Sequence, residues 1–125
     1  MRRIGDVAEE LVAQYLLEHG LMIWGRNVRL GALELDIVAI DGVVVVVVEV
    51  RARGKGAYQS PFETLSRAKR KRVLQAGERL WRRYFARDPR VQRLRFDVAA
   101  VYRDVLPPRI EYVRAALWSS PPRLR

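Results

Sequence analysis

No cysteine occurs among the 125 residues, and histidine occurs once, at His19. Disulfides, thiolate metal sites and cysteine nucleophiles are therefore excluded, and any metal has to sit on oxygen or on that one imidazole. Long apolar runs are missing as well. The longest, Val43 to Val48, is far shorter than the roughly 20 residues of a spanning helix, and the first residues lack the apolar stretch of a signal peptide. A cytoplasmic protein without a membrane partner is expected. Acidic residues are the scarcer charge, 14 against 24 basic, which leaves a net charge of +10. A chain this basic is drawn to polyanions by displacing their counterions, so nucleic acid is the leading partner.

What is present is enough for one packed unit. Hydrophobic residues make up 50% of the chain and charged ones 30%, the balance of a folded domain. The length suits a single domain over residues 1–118, with a fraying tail over 119–125. Of the 24 basic residues 21 are Arg, a bias that favours forked contacts with phosphate.

Along the chain, Val7, Ala8, Leu11, Val12, Tyr15 and Leu16 recur at three- and four-residue steps, which predicts an amphipathic helix from Val7 to Glu18 stopped by Gly20. Leu21 to Arg29 reads as a first strand, and Gly31 as a break. Leu33 to Ile40 and Val43 to Val50 are β-branched strands around Asp41-Gly42, a strong hairpin signal. An unbroken valine run implies a strand covered on both faces. Arg53 to Tyr58 reads as a basic loop, Ser66 to Arg87 as a long helix ended by Asp88-Pro89, Leu94 to Tyr102 as a strand, and Ile110 to Val113 as a short last strand after Pro107-Pro108. The expected fold class is α/β: a mixed sheet of four or five strands flanked by helices, in the order α-β-β-β-α-β-β.

A two-residue turn at Asp41-Gly42 places Glu34 opposite Glu49, Asp36 opposite Val47 and diagonal to Glu49, and Arg51 two residues farther on. By the strand period all four share one face. Carboxylates so gathered repel, and burial would force them to take up protons. A hard cation, Mg²⁺ or Mn²⁺, relieves this, because it takes a few carboxylate oxygens, keeps waters and bridges to phosphate. The bland alternative is acids near strand ends in water, with Arg51 as their counter-ion.

The blocks Ala8-Glu9-Glu10-Leu11-Val12-Ala13-Gln14-Tyr15-Leu16, Glu34-Leu35-Asp36-Ile37-Val38-Ala39, Glu49-Val50-Arg51, Ser60-Pro61 and Arg95-Phe96-Asp97-Val98 resemble, in order and spacing, those of the YraN family of uncharacterised bacterial proteins. That family is similar to archaeal Holliday junction resolvases and belongs to the PD-(D/E)xK nuclease-like group, which implies a restriction-endonuclease-like core. The resemblance implies Asp36 and Glu49 as metal ligands, the carbonyl of Val50 as another, and Glu9 as the helical acid approaching the metal. It implies metal-dependent hydrolysis of DNA phosphodiesters, with branched or junction substrates and a possible homodimer. Position 51 would hold the group's catalytic Lys, where this chain has Arg. A guanidinium stays protonated and cannot serve as a general base. Arg51 either binds the scissile phosphate while the metal generates hydroxide, or marks a site that binds without cutting well.

Five positive charges fall in six residues at the start of the long helix: Arg67, Lys69, Arg70, Lys71 and Arg72. With the helix dipole they suit phosphate, and Arg51, Arg53, Lys55 and Ser60 extend the same track; a solvated helix face, and ordinary loop chemistry at Ser60, are the plainer readings. Trp81 and Tyr84, interleaved with Arg79, Arg82 and Arg83, read as core more readily than as a base-stacking surface. Asp97 reads as a structural carboxylate paired with an Arg such as Arg95, and His19 as a helix cap. Three functions remain: an endonuclease, a non-cutting nucleic-acid-binding module, and a basic accessory protein of a ribonucleoprotein.

Overall fold

Ala8, Val12 and Leu16, four residues apart, are all buried on one stripe of the first helix, α1 (Ile4–Glu18), against one face of a sheet. In this computed structural model, which describes residues 4–53 and 66–116, the strands are β1 (Met22–Leu30), β2 (Leu33–Asp41), β3 (Val44–Arg53), β4 (Arg93–Tyr102) and β5 (Arg109–Val113). A second helix, α2 (Arg67–Leu80), lies between β3 and β4 in the chain and continues as a π-helical turn over Trp81–Phe85. The tail expected to fray, and the loop from Gly54 to Tyr58, lie outside the described residues.

The five strands are ordered β1-β2-β3-β4-β5. Only β3 and β4 run parallel; the other neighbours are antiparallel, so the sheet is mixed. Parallel pairing needs a crossover, and α2 supplies it. Valines 44, 46 and 48 pack with α1, whereas valines 45 and 47 pack with Val73, Ala76 and Leu80 of α2. The valine run is thus covered on both faces, as its composition predicts. Gly77 lets α2 sit close on the sheet: a Cβ there would collide with the Phe96 ring.

The helix ends follow local chemistry. Gly20 takes φ +84°, and His19 Nδ1 lies 2.8 Å from the Tyr15 carbonyl oxygen, the capping position expected of it. Ser66 caps α2, its Oγ accepting from the Lys69 N–H at 3.1 Å. The π turn, closed by Ala86 N–H on Trp81 O at 2.8 Å, keeps Trp81 and Phe85 against the core but turns Tyr84 outward. Tyr84 is therefore not core as expected; it meets Trp24 edge-on, with Arg83 over its ring.

The hairpin register is corrected as well. The β2–β3 hairpin turns at Gly42-Val43, with Asp41 paired to Val44 and Ile40 to Val45, rather than at Asp41-Gly42. Gly42 has φ +61°, the conformation a glycine-first hairpin turn demands. The slip is two residues, so each side chain keeps its face while its partner changes.

Candidate metal and nucleic-acid site

Pairing between β2 and β3 runs from the hairpin only as far as Ile37 and Val48. One step on, the corrected register sets Asp36 across from Glu49 instead of diagonal to it. There β2 changes its alternation: Leu35 and Val38 both pack on the α2 side, with Ile37 on the α1 side. Its neighbour β1 is irregular at the same level, because Asn27, between Arg26 (paired with Ile37) and Val28 (paired with Leu35), has φ +52°. Asn tolerates that left-handed conformation through its short polar side chain. At this kink the Asp36 Oδ2 accepts from the Val50 N–H at 2.9 Å. A side-chain oxygen thus takes a donor in the fork between two separating strands.

Glu49 comes from the α2 side of β3 and is almost fully enclosed, with 3% of its side chain exposed. Fully buried Val47 precedes it on that face. Its Oε1 lies 3.0 Å from Lys69 Nζ, whose side chain is 34% exposed. Its Oε2 is buried and has no donor among the described residues. Burial, first, and then the adjacent Asp36 charge raise the Glu49 pKa to about 7, even though the Lys69 ammonium pulls the other way. Glu49 thus has one ammonium partner and shares the fork with a second, part-buried carboxylate.

That donor chemistry fits a small hard cation. Mg²⁺ commonly takes one or two carboxylates and retains several waters. Asp36, Glu49 with its orphaned Oε2, and the Val50 backbone between the two strands supply such a set. Glu9 is buried on α1, with its Oε1 3.9 Å from Arg26 Nη2, while Glu10 meets Arg26 Nη1 at 2.9 Å. Since Arg26 pairs with Ile37, these acids approach the Asp36 level from the α1 side. Among the described residues no three His, Asp or Glu side chains converge to hold a metal, so the structure does not bring Glu9 into the acid pair. Glu34, expected opposite Glu49, is instead exposed at 3.6 Å from Arg29 of β1.

The basic residues divide by position. Arg67, Lys71 and Arg72 are exposed along the first turns of α2, and Arg70 is half-buried beside Lys69. Arg51 and Arg53 are half-buried on β3, opposite Ala100 and Tyr102. Lys55 and Ser60 lie outside the described residues. In the sequence Lys69 stands only as one of a basic row; its pairing with Glu49 depends on α2 docking over the end of β3. Asp97 has the structural role expected: fully buried, it accepts from Arg95 Nε (2.9 Å) and Nη2 (3.0 Å), from the Tyr112 hydroxyl (2.6 Å) and from the Ala115 N–H (2.8 Å). Burial, and then the Asp97 charge, push the Tyr112 pKa up.

No described helix is long and apolar enough to cross a membrane. The profile of the uncharacterised protein family UPF0102 matches residues 8–101. A UPF0102 protein of Sorangium cellulosum is 47% identical over 100 residues, covering 80% of this chain and 69% of the relative. Another, from Desulforapulum autotrophicum, is 37% identical over 117 residues, 92% of this chain and 93% of the relative. A third, from Arthrobacter, is 39% identical over 112 residues, covering 89% and 92%. The chain belongs to the uncharacterised protein family UPF0102.

Proposed function

We propose that the protein is a divalent-cation-dependent nuclease that hydrolyses phosphodiester bonds in DNA, with branched structures such as four-way junctions as its substrate class. The observation that carries this reading is the part-buried Asp36 beside the enclosed Glu49, whose Oε2 has no donor among the described residues, next to the basic first turns of α2. Lys69 answers one oxygen of Glu49 and the Val50 N–H one oxygen of Asp36, which leaves the buried Glu49 Oε2 as a costly polar atom that a bound cation would satisfy.

Bound Mg²⁺ or Mn²⁺ supplies a Lewis acid and lowers the pKa of a coordinated water. Asp36 and Glu49 hold the cation, with the Val50 carbonyl as a further donor and Glu9 as an outer acid. The Val50 N–H fixes the orientation of Asp36. Arg67, Arg70, Lys71 and Arg72 bind backbone phosphates at the positive end of α2, and Arg51 neutralises charge on the phosphate being cut. A homodimer with two such sites suits a symmetric junction.

Arg51 also favours a second reading, a binding module of the same fold, since a guanidinium cannot take a proton from water. Labelled linear, flapped and four-way DNA incubated with Mg²⁺ or Mn²⁺ separates the two. The nuclease gives metal-dependent products that Asp36→Asn abolishes. Products absent from the wild type, or equal with the variant, contradict it, and tight binding without metal then supports the module.

A further inference from the structure

We propose that Lys69, in the first turn of α2, contacts the phosphate that is cut while it holds Glu49. The inference rests on the nuclease reading. Its observation is geometric: Lys69 Nζ reaches Glu49 Oε1 at 3.0 Å, the ion pair described for this enclosed acid.

The backbone holds Lys69 there. Ser66 Oγ accepts the Lys69 N–H, so the residue sits in the capped turn, and α2 is pressed onto the sheet at Gly77. Its side chain is 34% exposed against 3% for Glu49, so Lys69 links solvent to the enclosed acid. The composition agrees: 21 of 24 basic residues are Arg, yet one of the three Lys stands here. A compact ammonium carries three donors on a flexible stem, which lets it keep Glu49 while donating to a phosphate oxygen; a planar guanidinium lacks that freedom.

In the hydrolysis, a water oxygen forms a bond to phosphorus as the bond from phosphorus to the leaving oxygen breaks. The water's proton passes to solvent, and the leaving oxygen takes one from solvent. Lys69 keeps all its protons throughout and donates to a non-bridging oxygen, where negative charge gathers. This separates it from Arg67, Lys71 and Arg72, which hold phosphates away from the cut.

Because the chain has no cysteine, Lys69→Cys can be alkylated with 2-bromoethylamine at that position alone, restoring an ammonium on a side chain of nearly lysine length. We expect single-turnover cleavage by Lys69→Cys to fall about a hundredfold, the usual cost of one donor to developing charge, and to recover about tenfold or more on aminoethylation. Mn²⁺ should bind Lys69→Cys at least as tightly as the wild type, because an ammonium no longer competes for Glu49. Cleavage by Lys69→Cys within about threefold of the wild type, no recovery on aminoethylation, or loss of Mn²⁺ binding each overturns the proposal. Wild-type protein that cuts beside a Lys69→Cys variant that cuts equally removes the lysine assignment alone; wild-type protein that never cuts removes the nuclease reading and this assignment with it.

Discussion

The Asp36 carboxylate accepts a hydrogen bond from the backbone N–H of Val50 at 2.9 Å, in the fork where β2 and β3 part. This joins a side chain to the very segment that carries Glu49, and it predicts different behaviour for two substitutions. Asparagine retains an oxygen for the Val50 N–H, whereas alanine leaves that donor unsatisfied at a cost of about 1–3 kcal/mol. Asp36→Asn is expected to unfold in urea close to the wild type, and Asp36→Ala clearly earlier. Equal midpoints for the two variants would show that the bond does not hold the fork.

The raised Glu49 pKa predicts how stability changes with pH. The unfolded chain has the ordinary value of 4.5 and the folded one about 7, so the fold favours the protonated acid. That contribution is fully present below about pH 4.5 and is lost as the pH rises through about 7, by the linkage between proton binding and folding. Relative to Glu49→Gln, which does not titrate, the wild type should lose about 3 kcal/mol between these limits, at 1.36 kcal/mol per pH unit. Divalent cation should return much of it at high pH by replacing the proton. Urea unfolding of both proteins across pH, with and without Mn²⁺, checks both; a difference that does not vary with pH contradicts the assignment.

Much of this architecture is legible in the sequence, and what is not has physical reasons. Element order, the two-faced valine strand and the structural role of Asp97 follow from periodicity and composition. The hairpin register does not. With Val43 to Val48 all valine, a slip of two residues preserves every buried face, so only the turn decides, and the turn takes Val43 as its second residue. The kink at Asn27 and Asp36 leaves only a faint mark, an Asn where β conformation is expected. The Lys69–Glu49 contact joins residues that only the docking of α2 brings together.

Asp97 provides a contrast, a buried acid with all its neighbours donating. Asp97→Asn removes the nearer of the two charges that balance Arg95, Asp41 lying 3.6 Å away, and should destabilise by about 3 kcal/mol, toward the lower end of what breaking one side of a buried pair costs. Cation binding at the Asp36 fork should be unaffected under conditions where the variant stays folded. Thermal unfolding and Mn²⁺ titration of the same sample separate the two effects. A variant as stable as the wild type would contradict the structural role.

The exposed bases of α2 should govern the salt dependence of DNA binding. Replacing Arg67, Lys71 and Arg72 together by Ala removes three phosphate contacts, and the slope of log affinity against log salt should become shallower by about 2.7, at about 0.9 per contact. Fluorescence anisotropy with duplex DNA in Ca²⁺ measures it. An unchanged slope would mean that these residues are only a solvated helix face.

Whether Asp36 and Glu49 form a divalent-cation centre is decided by calorimetric titration of Mn²⁺ into the metal-free protein at about pH 8, above the Glu49 pKa. The wild type should bind Mn²⁺ saturably, and Asp36→Asn and Glu49→Gln should each abolish or severely weaken that binding while both remain folded. No saturable binding by the wild type, or equal binding by all three proteins, would contradict such a centre.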